Sequence, residues 1–333
     1  MQLRIKNILF ILFILSSTLG FSQFDSTYIH TNHESFSIYP IFEFYKTKYN
    51  LRLDAEDENG DPLYEDVEKS FHTKNSFHLG FGVSFKRFGF AFTFLLPYSN
   101  IPELKASKVF AFSGGYSYRK FYGEAKLKHY KGLQEENITY HGDSLDINTS
   151  IRENVTTKQI SLMLYYMTSN KFNFDANYKN YNVQKKSAIS FVFSGGVNYY
   201  SIDGELDFIE QKNRNLANIK KTVDVYSIKT MPGVTGVLVF RNFYFTSFFL
   251  LGPAYNYNLL DKSEVRHNIF PSIEFRSALG YNSGNYFFSF TFNYDNDLIF
   301  LRENELGINN YMFNLKLGIK LNSKYLGKMG RYL

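Results

Sequence analysis

Large apolar residues alternate with small or polar residues along most of this chain, and this alternation limits the fold more than any other feature. In Phe77–Phe85 the odd positions carry phenylalanine, leucine or valine, and the even positions carry histidine, glycine or serine. A period of two places the two sets on opposite faces of a β-strand. Phe88–Phe94 repeats the pattern after Lys86-Arg87, a break of hairpin length. The alternation continues to Tyr311–Leu321 and predicts an all-β chain.

Two all-β architectures show this alternation, a soluble β-sandwich and a membrane-spanning barrel. Aromatic residues make up 19% of the chain, and they crowd onto one face of the strands, opposite glycine, serine, asparagine and lysine. Two-residue turns alternate with long connections, as in outer-membrane barrels with short periplasmic turns and long outer loops. In lipid every backbone group must be hydrogen-bonded internally, so such a sheet must close. We therefore predict a transmembrane antiparallel up-and-down β-barrel rather than a sandwich.

The predicted number of strands depends on how short turns and long loops alternate along the chain. Thirteen segments show the apolar–polar alternation of a strand, whereas an even number of strands is expected when both chain ends are periplasmic. The short turn Arg241-Asn242 is out of phase with the earlier turns, and a further strand within Gly204–Gln211 restores the phase. About fourteen strands are then expected, with twelve as the alternative. The thirteen segments lie near residues 36–53, 76–86, 88–97, 106–118, 121–132, 158–168, 171–180, 187–201, 223–240, 243–257, 264–281, 285–296 and 309–321.

The connections between these strands predict which parts of the chain face outward. The first long connection is strongly acidic, and clustered carboxylates can bind calcium, but the spacing of a calcium-binding loop is absent. A solvated loop is therefore the main expectation, with a cation site or a site bridging to lipopolysaccharide as the alternative. The expected outer loops are residues 54–75, 98–105, 133–157, 179–186, 212–222, 258–263 and 297–308.

The first 22 residues have the features of a cleaved secretory signal peptide. Arg4 and Lys6 form a basic start, Ile8–Leu15 is an apolar stretch too short to span a membrane as a helix, and Gly20-Phe21-Ser22 supplies small residues before the expected cleavage. Residues 23–333 then form a single barrel domain located in the outer membrane. Loss of the two basic residues lowers the formal charge from +6 to +4, which does not argue for a nucleic-acid partner.

Charged residues on the predicted inner faces are the best candidates for a functional site. Such rows of charge can line an aqueous path and set ion preference, or they can pair across strands and plug the barrel. The small residues on the inner faces leave space for water or for the segment Phe24–Ser35 folded inward. The candidate lumen-lining residues are Glu124, Lys126, Lys128, Glu274, Arg276, Lys316 and Lys320, with Asp175, Asn293 and Asp295 expected to join them.

Catalytic, metal and cofactor sites find little support in the sequence. The chain has no cysteine, which excludes disulfides, thiol nucleophiles and thiolate-bound metals. His141-Gly142-Asp143-Ser144 contains the residue types of a hydrolase, but a catalytic triad is assembled across a fold rather than within one turn. His30 and His33 are two metal ligands without a carboxylate partner at a known spacing. We therefore expect no catalytic, metal or cofactor site.

Four blocks of sequence resemble a known family. They are 72–97 with its Leu79-Gly80-Phe81-Gly82-Val83-Ser84-Phe85-Lys86 core, Tyr118–Phe121 with Tyr130-Lys131-Gly132, Tyr165–Phe174 followed by Gln184-Lys185-Lys186-Ser187-Ala188, and Ala278–Asn282. Their order and spacing are similar to the uncharacterised outer-membrane barrel family of Bacteroidota catalogued as domain of unknown function 4421. The family's third block tends to end in Lys-Ser-Ala-Gly-Ser, whereas this chain has Ile189 at the glycine position. The resemblance implies an outer-membrane barrel and brings no catalytic residues.

The function expected from the sequence is passive, either a structural barrel or a narrow, porin-like pore for small solutes. The first alternative is an outer-membrane hydrolase at the outer mouth. The second is a barrel whose outer loops bind a partner or mediate adhesion. The expected partners are outer-membrane lipid and lipopolysaccharide, and the barrel-assembly machinery during insertion.

Overall fold

The computed structural model describes residues 24–31, 35–53, 67–73, 76–85, 87–95, 108–141, 144–204, 221–260, 264–301 and 304–322. A short π-helical turn, Asp175–Lys179, is its one helical element. No helix in the described ranges is long and apolar enough to cross a membrane. The strands are β1 (Ile29–His30), β2 (Ser35–Leu53), β3 (Val67–His72), β4 (Ser76–Phe85), β5 (Phe88–Leu95), β6 (Lys108–Tyr118), β7 (Phe121–His141), β8 (Ser144–Met167), β9 (Val183–Gln184), β10 (Ala188–Gly204), β11 (Lys221–Phe240), β12 (Phe243–Leu260), β13 (Glu264–Asn282), β14 (Tyr286–Leu301) and β15 (Asn304–Asn322).

The described strands form an antiparallel sheet that closes into a barrel. Each wall strand pairs with its neighbours in the chain, and β15 pairs back onto β2 from Asn322↔Ser35 to Glu305↔Arg52. Strand β3 continues β4, because both pair with β2 at successive heights. Counted in this way, the wall of the described chain has twelve strands, β2 and β4–β8 followed by β10–β15. The predicted closed barrel is confirmed, and twelve strands, the alternative count, replaces fourteen.

Two expected strands are absent from the wall of the described barrel. The segment 171–180 alternates like a strand, yet it leaves the wall after β8 and contains the π-helical turn. The expected strand at 204–211 lies mostly outside the described residues, but β10 pairs directly with β11 from Ala188↔Val237 to Gly204↔Lys221 and leaves no place between them. The alternation of segment 171–180 therefore reflects burial inside the barrel rather than exposure to lipid.

The number of wall strands changes along the barrel axis. Near the short turns, the β5–β6 hairpin separates β4 from β7. Farther along the axis, β3 pairs directly with β7 from Lys69↔Asn137 to His72↔Gln134. The described wall therefore has twelve strands at the end that carries the short turns and ten toward the other end. Since short turns are periplasmic, the narrower half of the barrel is the outer half.

Several connections expected to be outer loops have a different structure. The expected loop 133–157 continues β7 and β8 as a paired hairpin as far as His141↔Ser144, with a bulge between Lys131 and Leu133. The expected loop 297–308 is mostly paired, because β14 and β15 remain in register as far as Leu301↔Asn304. The segment 179–186 was expected to face outward, but it lies at the periplasmic end, between β8 and β10.

The outer surface of the barrel is a belt of large apolar side chains. Ile189 and Phe240 each keep 72% of their surface exposed, and Leu238 and Ile269 keep 67%. These residues alternate with buried inward-facing residues along each strand, as the period of two requires. A closed barrel with such an apolar exterior is suited to lipid, since no backbone edge is left unpaired.

Candidate functional site

The inside of the barrel contains a plug made by residues 168–187, which connect β8 to β10. The side-chain carbonyl oxygen of Asn173 accepts a 2.7 Å hydrogen bond from the Ala176 N–H, a backbone donor in the π-helical turn. Asn180 ends the turn in the left-handed conformation, with φ 59°. Asparagine tolerates this conformation better than most residues, so the chain can reverse direction there.

The plug has an apolar core of its own. Phe172, Phe174 and Tyr178 pack against inward-facing side chains of the wall, including Tyr122, Tyr165 and Phe248. The rings of Phe174 and Tyr122 stack with their centroids 3.9 Å apart. Phe172 is fully buried and Phe174 is 2% exposed. Burial of side chains of this size contributes roughly 1.5–3 kcal/mol each, so the plug is held as part of the fold.

Polar contacts tie the plug to the periplasmic part of the wall. Asn180 donates to the Ser289 hydroxyl at 3.0 Å and accepts from the Tyr244 hydroxyl at 2.7 Å. The Asn282 side chain donates to the Asn182 carbonyl at 2.9 Å. These bonds reach β12, β13 and β14, so the plug is hydrogen-bonded to strands far from its own attachment points.

The N-terminal segment adds a short strand to the plug. In β1, Ile29 pairs with Gln184 and His30 pairs with Val183. The Lys185 N–H donates to the Tyr28 carbonyl at 2.7 Å, and the Asp25 N–H donates to the Asn170 carbonyl at 3.1 Å. Ile29 is 2% exposed. The main occupant of the lumen is thus the segment 168–187, with residues 25–30 as its partner strand.

An ionic cluster crosses the lumen next to the plug. The Glu124 carboxylate lies 2.8 Å from the Arg276 guanidinium and 2.9 Å from the Lys126 ammonium, and the Lys179 ammonium of the plug lies 3.9 Å from its other oxygen. Arg276 also donates to Glu274 through Nε at 2.6 Å. Strands β7 and β13 are five positions apart around the wall and therefore lie on nearly opposite sides of the barrel. The cluster thus links the plug to both sides.

The other three candidate residues also point into the barrel, without joining this cluster. The Lys128 ammonium lies over the Tyr45 ring, 3.6 Å from its centroid. The Lys316 ammonium donates to the Tyr178 carbonyl of the plug at 3.3 Å, and the Lys320 ammonium donates to the Asn282 side chain at 2.7 Å. Asp175 lies in the plug rather than in a wall strand.

Sequence reasoning missed a second buried charge pair farther toward the outer end. Lys229 of β11 is ion-paired with Asp297 of β14, and both are almost fully buried. The Tyr200 hydroxyl donates to Asp297 at 2.7 Å, and the Ser272 hydroxyl donates to it at 2.9 Å. Both charged residues lie on the inner faces of their strands, so the apolar–polar alternation of the sequence already indicated that they face the lumen. Their pairing depends on closure of the barrel.

A second apolar layer fills the outer half of the barrel. Nine inward-facing side chains from seven strands pack together there, and none is more than 6% exposed. This layer lies where the described wall has ten strands, so the lumen is narrower and ordinary side chains can span it. We call it the outer layer; it consists of Tyr49, Phe71, Leu133, Val155, Tyr200, Ile202, Val223, Val225 and Ile308.

Some inward-facing glycines lie directly beneath aromatic rings rather than next to open space. A Cβ at Gly82 would lie 2.2 Å from the Tyr39 ring, and a Cβ at Gly318 would lie 2.1 Å from the Phe287 ring. Tyr39 and Phe287 in turn pack edge to face, with centroids 5.6 Å apart. The glycines therefore allow large rings to lie flat on the inner wall, which further fills the lumen.

A polar cavity of about 80 Å³ remains between the plug and the wall. The plug packs against β7, β8 and β10–β13, and the cavity is bounded by β2, β5, β6, β14 and β15 on the other side. Its charged lining consists of Glu43, Glu124, Lys126, Lys128, Lys179, Arg276 and Lys316.

Two ionisable groups of the plug, which is not part of the membrane-spanning strands, are perturbed by their surroundings. Burial raises the pKa of Asp175 to about 6, although Ser117 and the positive charge of Lys179 oppose the shift. Burial lowers the pKa of Lys179, and the Glu124 carboxylate opposes that shift. Both effects follow from the cost of holding a charge away from water.

The remaining candidates from the sequence do not assemble into a site in the described residues. His141 and Ser144 lie opposite each other at the end of the β7–β8 hairpin, whereas Gly142 and Asp143 lie outside the described residues. His30 lies in β1, and His33 is outside the described residues, as is most of the acidic connection after β2. The described part of the chain contains no group of three residues suited to bind a metal.

Comparisons with solved structures give distant matches that do not indicate a function. Among solved structures, the chain is similar to the outer membrane protease OmpT from Escherichia coli, with 11% identity, coverage of 90% of this chain and 98% of that chain, and a TM-score of 0.37. It is also similar to the translocator domain of the autotransporter NalP from Neisseria meningitidis, with 10% identity, coverage of 85% and 88%, and a TM-score of 0.40. No curated protein matches the chain.

The barrel itself determines the location of the chain. Its closed sheet and apolar exterior place it in the outer membrane. A family model described as "Domain of unknown function (DUF4421)" matches residues 23–320.

Proposed function

The chain belongs to the DUF4421 family, and from the closed lumen of this member we propose that it is a structural, non-conducting barrel of the outer membrane. The observation that carries this proposal is the pair of apolar layers in the lumen: the outer layer, which packs across it, and the plug core, which occupies one side of it nearer the periplasm. An apolar constriction blocks ions by excluding water. Two such layers in series stop conduction even when one of them opens.

The test is single-channel conductance in a planar bilayer, after heat-modifiable gel mobility has confirmed folding. The wild-type barrel is expected to give no discrete steps. A variant with residues 171–184 replaced by a short glycine–serine turn is expected to stay silent, because the outer layer remains. A variant that combines this replacement with Tyr49→Ala and Ile202→Ala is expected to conduct, because both layers are then opened.

The alternative passive role makes a different prediction in the same experiment. A narrow pore for small solutes gives reproducible steps with the wild-type protein. It also predicts that Lys126→Glu changes ion selectivity, since Lys126 is the most exposed member of the ionic cluster, with 24% of its side chain exposed. Steps from the folded wild-type barrel would replace the structural proposal with this one.

The β7–β8 hairpin favours a binding role as a second candidate function. Beyond Asn137, the described strands β7 and β8 pair with each other from Ile138↔Ile147 to His141↔Ser144, and β7 has no pairing with β3 there. The tip of the hairpin thus extends past the last residue pair between β7 and β3, at the outer end of the barrel. Cells that display the wild-type protein are expected to bind a surface partner more strongly than cells with residues 138–147 replaced by a tight turn. Equal binding would argue against this role.

We propose no enzymatic activity for the barrel, and we expect its partners to be lipids and the machinery that inserts it. Outer-membrane lipid and lipopolysaccharide contact the apolar exterior, and the barrel-assembly machinery inserts the chain. Assays with lipid and peptide substrates are expected to show no turnover by the purified protein. Turnover that disappears in Ser144→Ala would instead support the hydrolase alternative.

A further inference from the structure

The polar cavity beside the plug has an excess of positive charge. Seven lysine, arginine and glutamate side chains line it, five of them cationic and two of them carboxylates. The wall contributes four of the cations and the plug contributes Lys179. If all seven are charged, the lining carries three positive charges that the lining carboxylates do not balance.

The nearby carboxylates are already engaged. Glu124 is shared by Arg276, Lys126 and Lys179. Glu274, which does not line the cavity, is held by Arg276 and by the Tyr165 hydroxyl at 3.0 Å. With Glu43 and Asp295, four carboxylates lie near the five cations of the lining, so one positive charge is left without a carboxylate.

Two of the cations contact the cavity without an ion pair. Among the described residues, neither Lys128 nor Lys316 has a carboxylate oxygen within 4.0 Å: Lys128 lies on the Tyr45 ring, and Lys316 donates to the Tyr178 carbonyl. The Asp295 and Glu43 carboxylates lie near Lys128 but farther away than this distance. Buried charges are costly unless they are paired, and both ammonium groups keep donors free for a further acceptor.

The size and the other donors of the cavity restrict what can balance this charge. A volume of about 80 Å³ corresponds to roughly five water positions at about 15 Å³ each, which is close to the five heavy atoms of a tetrahedral oxyanion. Neutral donors, the hydroxyl of Thr93 and the amide of Asn293, also line the cavity.

We propose that this cavity binds a single small inorganic oxyanion, of the phosphate or sulfate type, between Lys128, Lys316 and the Arg276–Lys179 side of the ionic cluster. The anion supplies the missing negative charge and links wall strands β7, β13 and β15 to the plug. The site does not depend on whether the barrel conducts, so the conductance experiment and the binding experiment can fail separately.

The test is equilibrium dialysis of the refolded full-length protein in detergent against radiolabelled phosphate, and separately against sulfate, in chloride buffer of fixed ionic strength. Wild-type protein is expected to bind at least one of the two anions saturably, with one anion per chain. Lys316→Gln and Lys128→Gln are each expected to weaken binding at least tenfold. The matched control is Lys158→Gln, since Lys158 is exposed on the outer face of β8, and its binding is expected to equal that of the wild type.

Other outcomes overturn the proposal. Absence of saturable binding of both anions by folded wild-type protein contradicts it, as does an equal loss of binding in Lys158→Gln and Lys316→Gln. If a lysine variant does not refold, the proposal is tested instead by the thermal unfolding midpoint of the wild-type protein with and without the anion. Phosphate or sulfate is expected to raise this midpoint above its value in chloride at the same ionic strength, and an unchanged midpoint rejects the site.

Discussion

The guanidinium of Arg276 lies 2.8 Å from a carboxylate oxygen of Glu124, although the two residues are 152 positions apart in the chain. They project from β13 and β7, on nearly opposite walls of the barrel. Glu124 also contacts Lys126 of its own strand and Lys179 of the plug. One carboxylate therefore joins two walls and the segment that fills the space between them.

Removal of that carboxylate is expected to destabilise the barrel strongly. Glu124→Gln leaves Arg276 and Lys179 with a buried positive charge that is only partly compensated, and breaking a buried ion pair costs about 3–5 kcal/mol. The free energy of unfolding in urea, followed by far-ultraviolet circular dichroism and gel mobility, is expected to fall by about 3 kcal/mol. Lys126→Gln is the matched control, because the Lys126 side chain is 24% exposed, and its loss is expected to stay below about 1 kcal/mol. Equal losses in the two variants would show that burial of the pair is not the cause.

The aromatic core of the plug is expected to control whether the plug stays docked. Phe174→Ala removes the ring that stacks on Tyr122, and truncation of a buried phenylalanine costs about 3–5 kcal/mol. Trypsin cleavage after Lys179, which the docked plug protects, is expected to accelerate while the barrel keeps its heat-modifiable mobility.

The control for this experiment is a phenylalanine on the outer face. Phe191 of β10 is 66% exposed, and Phe191→Ala is expected to leave cleavage after Lys179 at the wild-type rate. Faster cleavage in Phe191→Ala than in Phe174→Ala would mean that the plug is not held by its aromatic core.

Docking of the plug is expected to weaken as the pH rises from about 4 to about 6. The pKa of Asp175 is raised from 3.8 to about 6 by burial, so folding takes up a proton in this range. The stabilisation is present at low pH, where Asp175 is protonated in both states, and is lost as the pH rises through the folded pKa. A shift of about two units corresponds to roughly 3 kcal/mol.

Asp175→Asn isolates this effect from other titrating groups. The charged groups that line the same cavities as Asp175 are Lys179, Arg87 and Arg119, and none of them changes in the variant. The difference in free energy of unfolding between Asp175→Asn and wild type is expected to move in favour of the variant by about 2.4 kcal/mol from pH 4 to pH 7. A difference that stays constant with pH would rule out Asp175 as the titrating group.

Inward-facing glycines covered by a ring are expected to tolerate no side chain. A Cβ at Gly82 would lie 2.2 Å from the Tyr39 ring, which is buried and packs edge to face against Phe287. Gly82→Ala is expected to lower the free energy of unfolding by about 1–3 kcal/mol, as overpacked sites do.

Gly123→Ala provides the comparison for that substitution. The nearest atom to a Cβ at Gly123 is the Tyr116 carbonyl oxygen at 3.9 Å, an ordinary contact. This variant is expected to change the free energy of unfolding by less than about 0.5 kcal/mol. Similar losses in the two variants would mean that the ring over Gly82 is not the cause.

The candidate site was predictable in part. Alternation along β7 places Glu124, Lys126 and Lys128 on one face, and the structure has all three inside the barrel. The partners of these residues were not predictable, because Arg276 and Lys179 come from distant parts of the chain. Lys229 and Asp297 were missed for the same reason: each lies on a polar strand face, but only a closed barrel brings them together.

The amino-acid sequence by itself determined that this chain forms an antiparallel β-barrel with an apolar exterior. The reason is local: a strand turns successive side chains to opposite faces, so a period of two shows which residues share a face. The tertiary structure decided what occupies the lumen. Phe172, Phe174, Ala176 and Tyr178 alternate as a lipid-facing strand does, yet they lie inside the barrel, in or beside the π-helical turn of the plug. Lipid and an aromatic core are both apolar, so local patterning cannot distinguish them, and long-range packing made the choice.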